Sequence, residues 1–310
     1  MAKHFLWPHE RLLPVSQMLE LMRPKLKPHE KEFVCPESER LLEEIDHKAT
    51  THKERAKIGD RLAKIGDTRP GVGIRKDGLP DIVWCKVLGG EITLGGKAGT
   101  FPVEPFYISK YPVTWIQYRS FIEAKDGYRG RRWWKGLVKR QDEPGEQYRK
   151  LDNHPAENVS WYDAVAFCRW LTEKLGYKVR LPTEWEWQQA ATGGDPGNKY
   201  PWGAKWDSDR ANTTESGLNR TIAVGLYPQG ASPVEAFDMI GNVWEWCLNE
   251  QHEPQRIEET GTASRAVRGG SWDYYQSYAF CAERDIYYPN FRYYFIGFRL
   301  LCSSPPSSNR

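Results

Sequence analysis

Cysteine and histidine are the side chains of this 310-residue chain best suited to metal or redox chemistry, and neither is arranged for it. The six cysteines are Cys35, Cys85, Cys168, Cys247, Cys281 and Cys302. They include no CxxC and keep no regular interval, which argues against a zinc site and against a disulfide framework. The histidines of the N-terminal part, His4, His9, His29, His47 and His52, form no close ligand pair on a helix face and read as solvated surface residues. The opening MAKHFLWPHERLLPV has no long apolar stretch, and no segment approaches the ~20 apolar residues that a membrane helix needs. The expectation is a cytoplasmic protein with mostly reduced thiols and no membrane partner.

Chemistry of recognition is written between Asp273 and Phe295. Aromatic residues stand there in adjacent groups, Tyr274-Tyr275, Tyr287-Tyr288 and Tyr293-Tyr294-Phe295. A half-buried strand alternates apolar and polar residues, so at least one ring of each group must point away from the core. Pro289, Asn290 and Arg292 place loops between them. Exposed aromatic clusters mark interaction surfaces, and tyrosine combines contact area, low rotamer entropy and a polar tip. The candidate ligand-binding residues are Asp273, Tyr274, Tyr275, Ser277, Tyr278, Asp285, Ile286, Tyr287, Tyr288, Phe291, Tyr293, Tyr294 and Phe295. Asp273 and Asp285 can pair with cations on a partner. Arg284, Arg292 and Arg299 read as structural, holding loops through buried carboxylates or backbone carbonyls. A flat aromatic patch fits a protein ligand best, with a glycan as the alternative. Alanine at Tyr287, Tyr288, Tyr293 and Tyr294 is expected to remove binding and to leave thermal stability nearly unchanged.

The formal net charge of +3 is close to balanced for this length, so no nucleic acid or anionic membrane is demanded. One basic run, Arg129, Arg131, Arg132, Lys135, Lys139 and Arg140, encloses Trp133 and Trp134. Cations with interleaved aromatics can line a nucleic-acid groove, but a solvated surface insertion is the favoured reading.

The elements that must position these residues change character near residue 80. Leu12, Leu13, Val15, Leu19 and Met22 recur at helical spacing up to Pro24, and a second helix is expected from Glu37 to about Ile65. Residues 66–73 are a turn-rich linker. From Asp81 onward, short apolar runs alternate with glycine and proline, as in Ile82-Val83-Trp84 and Phe106-Tyr107-Ile108, and read as short strands. Helices are expected from Thr114, from Ser160 with a capping box closed by Asp163, and from Thr183 with one closed by Glu186. Beyond Ala191 the chain turns irregular, and that backbone must be held by side-chain hydrogen bonds, by a bound ion, or by both. The partition is a helical segment with linker over 1–80, an α+β domain over 81–302 and a disordered tail over 303–310.

Several segments occur in a fixed order: Gly89-Gly90-Glu91-Ile92-Thr93-Leu94-Gly95, Tyr111-Pro112-Val113-Thr114, Pro155 to Trp161, and Arg180-Leu181-Pro182-Thr183-Glu184-Trp185-Glu186. Tyr200-Pro201-Trp202-Gly203, Gly241-Asn242-Val243-Trp244-Glu245-Trp246, Arg268-Gly269-Gly270-Ser271-Trp272 and Gly297-Phe298-Arg299 follow. Together they resemble the formylglycine-generating enzyme (sulfatase-modifying factor) family over roughly Asp81 to Leu301, and imply its C-type-lectin-like α+β fold. Catalytic members of that family bind copper through two nearby cysteines, a soft pair suited to Cu(I). Counted from Ser271, those places fall on Tyr274 and Ala279, and Cys281 stands alone as a small buried hydrophobe. Sulfoxide synthases of the same family bind iron through three histidines, partly from an N-terminal bundle for which this segment is too short. The resemblance also implies a structural calcium at Asn242 and Glu245, whose hard oxygens suit that ion. The alternative there is a hydrogen-bonded asparagine and a glutamate on a structural arginine. No other cofactor is required.

The segment from Arg268 to Arg299 also resembles the variable region of proteins diversified by diversity-generating retroelements, displayed on the same lectin-like scaffold. Trp272, Arg284, Pro289, Arg292 and Gly297-Phe298-Arg299 match its frame. In that family, adenines of AAY codons are mutated, which reaches Tyr, Phe, Asp, Ser, Ile and Ala but never Glu, Lys, Gln, Met or Trp. Every candidate residue above obeys the rule, while Glu283 breaks it and belongs to the frame or to later drift. The implied function is a non-enzymatic, receptor-like variable protein that binds a macromolecule. The alternatives are a metal-dependent oxidase or sulfoxide synthase of the enzyme family, and a sensor domain of a larger signalling or defence protein. For the last, Trp7-Pro8-His9-Glu10-Arg11-Leu12 and the linker resemble the tail that joins such domains to an NTPase or protease.

Overall fold

A computed structural model describes residues 36–95, 98–138 and 143–305. The chain divides into two compact units, residues 1–44 and 45–310. The helix expected around Leu12 to Met22, the histidines His4, His9 and His29, and Lys139 and Arg140 lie outside the described residues. Among the described residues no helix is long and apolar enough to cross a membrane.

The first described helix, α1, spans Glu37–Asp46, and the next, α2, spans His52–Ile65. The single helix expected over this stretch is broken at 47–51. The cause is local: Thr51 accepts from the Glu54 N–H, while the Glu54 carboxylate accepts from the Thr51 N–H at 2.8 Å. This capping box starts a new helix where the earlier one would otherwise continue. α2 is tied to the rest of its unit by Arg220 on Asp60 (2.8 Å), by Asn153 Nδ2 donating to the Gly59 carbonyl (3.0 Å) and by Arg55 donating to the Leu226 carbonyl (2.7 Å).

Three sheets follow. β1 (Trp84–Val87), β4 (Phe106–Ser109) and β9 (Leu301–Cys302) form one in the order β1-β4-β9, and β2 (Gly90–Leu94) pairs with β3 (Gly99–Val103) as a hairpin. The third holds β5 (Trp244–Glu250), β6 (Arg265–Arg268), β7 (Arg284–Tyr287) and β8 (Ile296–Gly297) in the order β7-β6-β5-β8, with β5 and β8 parallel. β7 is therefore an edge strand. Between the sheets run α3 (Trp115–Glu123), α4 (Trp161–Leu175) and α5 (Glu184–Thr192).

α4 begins where Ser160 accepts from the Asp163 N–H and Asp163 accepts from the Ser160 N–H, and it ends on left-handed Gly176. It is buried almost all round by Trp161, Phe167, Trp170 and Leu171, which pack with Trp244, Trp246, Phe295 and Phe298 in the main core. α5 opens with the Thr183–Glu186 box. Trp133 and Trp134 also lie in the core, and their indole N–H groups donate to the Asp126 and Tyr128 carbonyls. The basic run thus offers no aromatic face for a nucleic acid.

Asp163 carries more than its helix cap. Its carboxylate also accepts two bonds from Arg292, at 2.8 and 2.9 Å, and one from the Tyr128 hydroxyl at 2.9 Å. Replacing Ser160 by Ala removes one cap and is expected to cost about 1 kcal/mol in denaturant unfolding. Asp163→Ala also takes the paired carboxylate away from the half-buried Arg292 guanidinium and is expected to cost about 3–5 kcal/mol. Equal losses would show that the ion pair does not hold the C-terminal segment.

Candidate binding surface

The stretch 268–299 is fastened to the scaffold by arginines. Arg268 and Arg284 share the fully buried Glu184 at the start of α5, with the Arg284 contacts at 2.9 and 2.6 Å. Arg292 holds Asp163, and Arg299 holds Glu245 of β5 through contacts at 2.5 and 2.7 Å. Gly270, at φ 75°, lets the chain pass close over Ala279, where a Cβ would meet the alanine at 3.0 Å. Arg284, Arg292 and Arg299 thus hold the loops through buried carboxylates, as expected.

Between these anchors each aromatic group is split, with at least one ring inward and one outward. Tyr274, Tyr287 and Tyr293 are half-buried against the main core, whereas their neighbours Tyr275, Tyr288 and Tyr294 are exposed, Tyr275 to 61% and Tyr288 to 58%. Asp273, Ser277, Tyr278 and Phe291 are exposed too, and Asp285 and Ile286 on β7 are intermediate. Phe295 departs from expectation. It is only 8% exposed and belongs to the core, because it lies between β5 and the inner tyrosines. Tyr287 and Tyr293 pack on the same core, so the expectation that alanine there leaves thermal stability nearly unchanged gives way to an expected loss.

The rings form a continuous network. Tyr278 meets Tyr274 at 5.9 Å, Tyr274 meets Phe295 at 5.6 Å, and Phe295 stacks on Tyr293 at 5.0 Å. Tyr293 leads to Phe291 (5.8 Å) and onward to Tyr288 (5.4 Å), while Tyr294 meets Phe295 and Trp272. Edge-to-face contacts of Tyr274 on Trp244 and of Tyr287 on Trp246 seat the inner layer on β5. The Tyr274 and Tyr287 hydroxyls share a hydrogen bond of 2.9 Å, and Tyr287 donates to Asp285 at 3.1 Å. Burial raises the pKa of both phenols, so both stay protonated.

No catalytic pair occupies the places where the resembling enzymes carry cysteines. Tyr274 fills one within the ring network, and Ala279 is fully buried at the other. Cys281 is buried, and desolvation pushes its thiol up to about 12, which leaves no reactive thiolate. Asn242 and Glu245 do not fit the implied calcium. Both oxygens of Glu245 are taken by Arg299, and one also accepts the Trp187 indole N–H at 2.7 Å. The Asn242 amide spans the backbone of Ile222, accepting at 3.0 Å and donating at 3.1 Å. A cation there would sit against a guanidinium. His52 lies between the Tyr227 hydroxyl and Asp209, and among the described residues no three of His, Cys, Asp and Glu converge as a metal site.

Residues 75–304 match the sulfatase-modifying factor enzyme 1-like domain, and the chain belongs to that family, with its C-type-lectin-like α+β fold. A Bos taurus relative named inactive C-alpha-formylglycine-generating enzyme 2 is 29% identical over 235 residues, covering 59% of this chain and 74% of its own. The formylglycine-generating enzyme of Mus musculus is 32% identical over 204 residues, covering 57% of this chain and 53% of the enzyme. Among solved structures, Treponema denticola variable protein 1 superposes with a TM-score of 0.58 at 21% identity, over 72% of this chain and 95% of that one, and so shares the fold.

Tyr148 is missing from the sequence-based set. It is 66% exposed, and its ring meets Tyr294 at 6.2 Å, which extends the aromatic network beyond 273–295. Its loop is held from beneath. Asn158 Nδ2 donates to the Glu146 carbonyl, the Asn158 N–H donates to the Tyr293 carbonyl, and buried Glu157 accepts the Arg149 N–H at 2.8 Å. No local motif announces this, because the two tyrosines are far apart in sequence.

Two outcomes follow from this geometry. Alanine at Tyr275, Tyr278, Tyr288 or Tyr294 is expected to change unfolding free energy by no more than about 0.5 kcal/mol. Tyr287→Ala and Tyr293→Ala should each cost about 1–3 kcal/mol through lost packing. Similar losses in both groups would contradict the two-layer arrangement. Separately, burial pushes Glu157 up to about 7 from 4.5, so the folded chain holds a proton that the unfolded chain releases. Wild-type stability should therefore fall by about 1–3 kcal/mol as pH rises from about 4.5 through 7. Melts of Glu157→Gln should lack this component, and an identical pH slope in the two proteins would exclude it.

Proposed function

We propose that this protein is a non-enzymatic ligand-binding member of its family, a variable protein that presents the 273–295 surface to a macromolecule, most suitably a protein. The observation that carries this reading is the split of each aromatic group. The inner rings, Tyr274, Tyr287, Tyr293 and Phe295, fasten the segment to the core, while the outer ones, Tyr275, Tyr278, Tyr288, Phe291 and Tyr294, are exposed to solvent. Exposed rings on a rigid support reduce the entropy lost on association. Tyr274 and Ala279 in place of a thiolate pair support the absence of oxidase chemistry, and the relative named as inactive is consistent with it. The neighbour named a variable protein shares the scaffold and agrees with display from its C-terminal loops. The outer positions lie among anchors whose hydrogen bonds do not depend on them, so their side chains can change while Arg284, Arg292 and Arg299 stay.

The test is genetic and chemical. DNA beside the coding region should contain a reverse transcriptase and a near-copy of the C-terminal segment with AAY codons, and alleles should differ only at the residues proposed to contact the ligand. Alleles that place Glu, Lys or Trp at Tyr275, Tyr288 or Tyr294, or that vary evenly along the chain, would refute diversification. Purified protein incubated with Cu(I) and a cysteine-containing sulfatase-type peptide should form no aldehyde, and turnover would restore the oxidase reading.

A further inference from the structure

Within 273–295 the two arginines bind the scaffold and the remaining charges are acidic. Both arginines within 273–295 are committed to buried carboxylates, Arg284 to Glu184 and Arg292 to Asp163. Asp273 is exposed beside Tyr294, and Asp285 lies half-exposed on edge strand β7. Strand alternation puts Asp285 on the same face as Tyr287. The register pairs these two residues with Val267 and Arg265, whereas Arg284 and Ile286 belong to the opposite face. Asp285 therefore faces the ring network rather than the arginine anchors. One of its oxygens accepts the Tyr287 hydroxyl, which is in turn bonded to Tyr274. The rings of Tyr274, Tyr287, Tyr293 and Phe295 meet at 5.0 to 6.2 Å around this point. Two cations from other loops also stack on rings of this region, Lys199 over Phe280 and Arg149 over Tyr148, the ring that meets Tyr294, and neither ring meets Tyr287 or Tyr293 among the described contacts.

Electron-rich ring faces beside a carboxylate attract a cation by two additive interactions, the ring quadrupole and direct charge pairing. The same carboxylates repel phosphate, which disfavours a nucleic acid, and they give no advantage to a neutral glycan. We propose that the occupant is a protein surface carrying an arginine or lysine at its contact point, with the cation seated against Tyr274, Tyr287 and Tyr293 and with Asp285 as its counter-ion. This rests on the binding-surface reading and adds the chemistry of the partner.

A library of random linear peptides displayed on phage, selected on the full chain at low salt, provides the probe. Selected peptides should be enriched in Arg and Lys. Their affinity should fall about tenfold in Asp285→Asn and recover in Asp285→Glu, as expected for one desolvated charge pair. Thermal melts establish that the variants are folded, and raised salt or free arginine amide should weaken binding to the wild-type protein without any mutation. Peptides that need Tyr288 and Tyr294 yet show no cationic enrichment and ignore both salt and Asp285→Asn overturn this inference and leave the binding surface standing. If no peptide is selected that the variant with alanine at Tyr275, Tyr278, Tyr288 and Tyr294 fails to bind, both readings fall.

Discussion

Buried pairing of guanidinium and carboxylate is the interaction on which the C-terminal half depends. Arg268 and Arg284 meet on Glu184, Arg292 meets Asp163, and Arg299 meets Glu245. Desolvating such groups is expensive, and a well-packed apolar replacement often does as well for stability. What a bidentate pair adds is direction, since a planar fork accepts one approach of the carboxylate and fixes the chain that bears it. Each carboxylate sits on a regular element, at the start of α4, the start of α5 or within β5. Rigid parts thereby set the course of loops that have little secondary structure of their own.

This arrangement accounts for the two layers of the aromatic surface. With the backbone held at Arg284, Arg292 and Arg299, the residues between them cannot turn together toward the core. Tyr287 is drawn onto Trp246 and Tyr293 onto Phe295, and the next residue in each case faces water. Tyr148 joins from a separate loop because Asn158 binds both that loop and the Tyr293 carbonyl. A single asparagine at φ 54° thus links two segments that present rings side by side.

The irregular stretch after α5 is held by side chains that serve as backbone substitutes. Asn242, left-handed at φ 64°, bridges the backbone of Ile222 and receives Asn212, and Arg299 bonds the Ser109 and Phe237 carbonyls as well as Glu245. Buried backbone groups that lack a ladder require such partners. The position at Asn242 and Glu245 is therefore stabilised by protein hydrogen bonds, with the guanidinium of Arg299 where the resemblance placed calcium.

Much of this was determined by the sequence alone. The capping boxes at Ser160 and Thr183 depend on residues three apart, and the one at Thr51, which breaks the helix expected over 37–65, was legible in the same way. The ordered motifs identified the family, and adjacent aromatics required that some rings leave the core, since one strand face cannot accept both. Only the tertiary structure decided which ring of each group is buried, that Phe295 joins the core, that Trp133 and Trp134 are unavailable, and that Tyr148 borders Tyr294. Those outcomes depend on contacts between residues distant along the chain, as with Asp163 and Arg292. Local periodicity carries no information about them, because the anchoring partner lies on another element and its direction is set by packing.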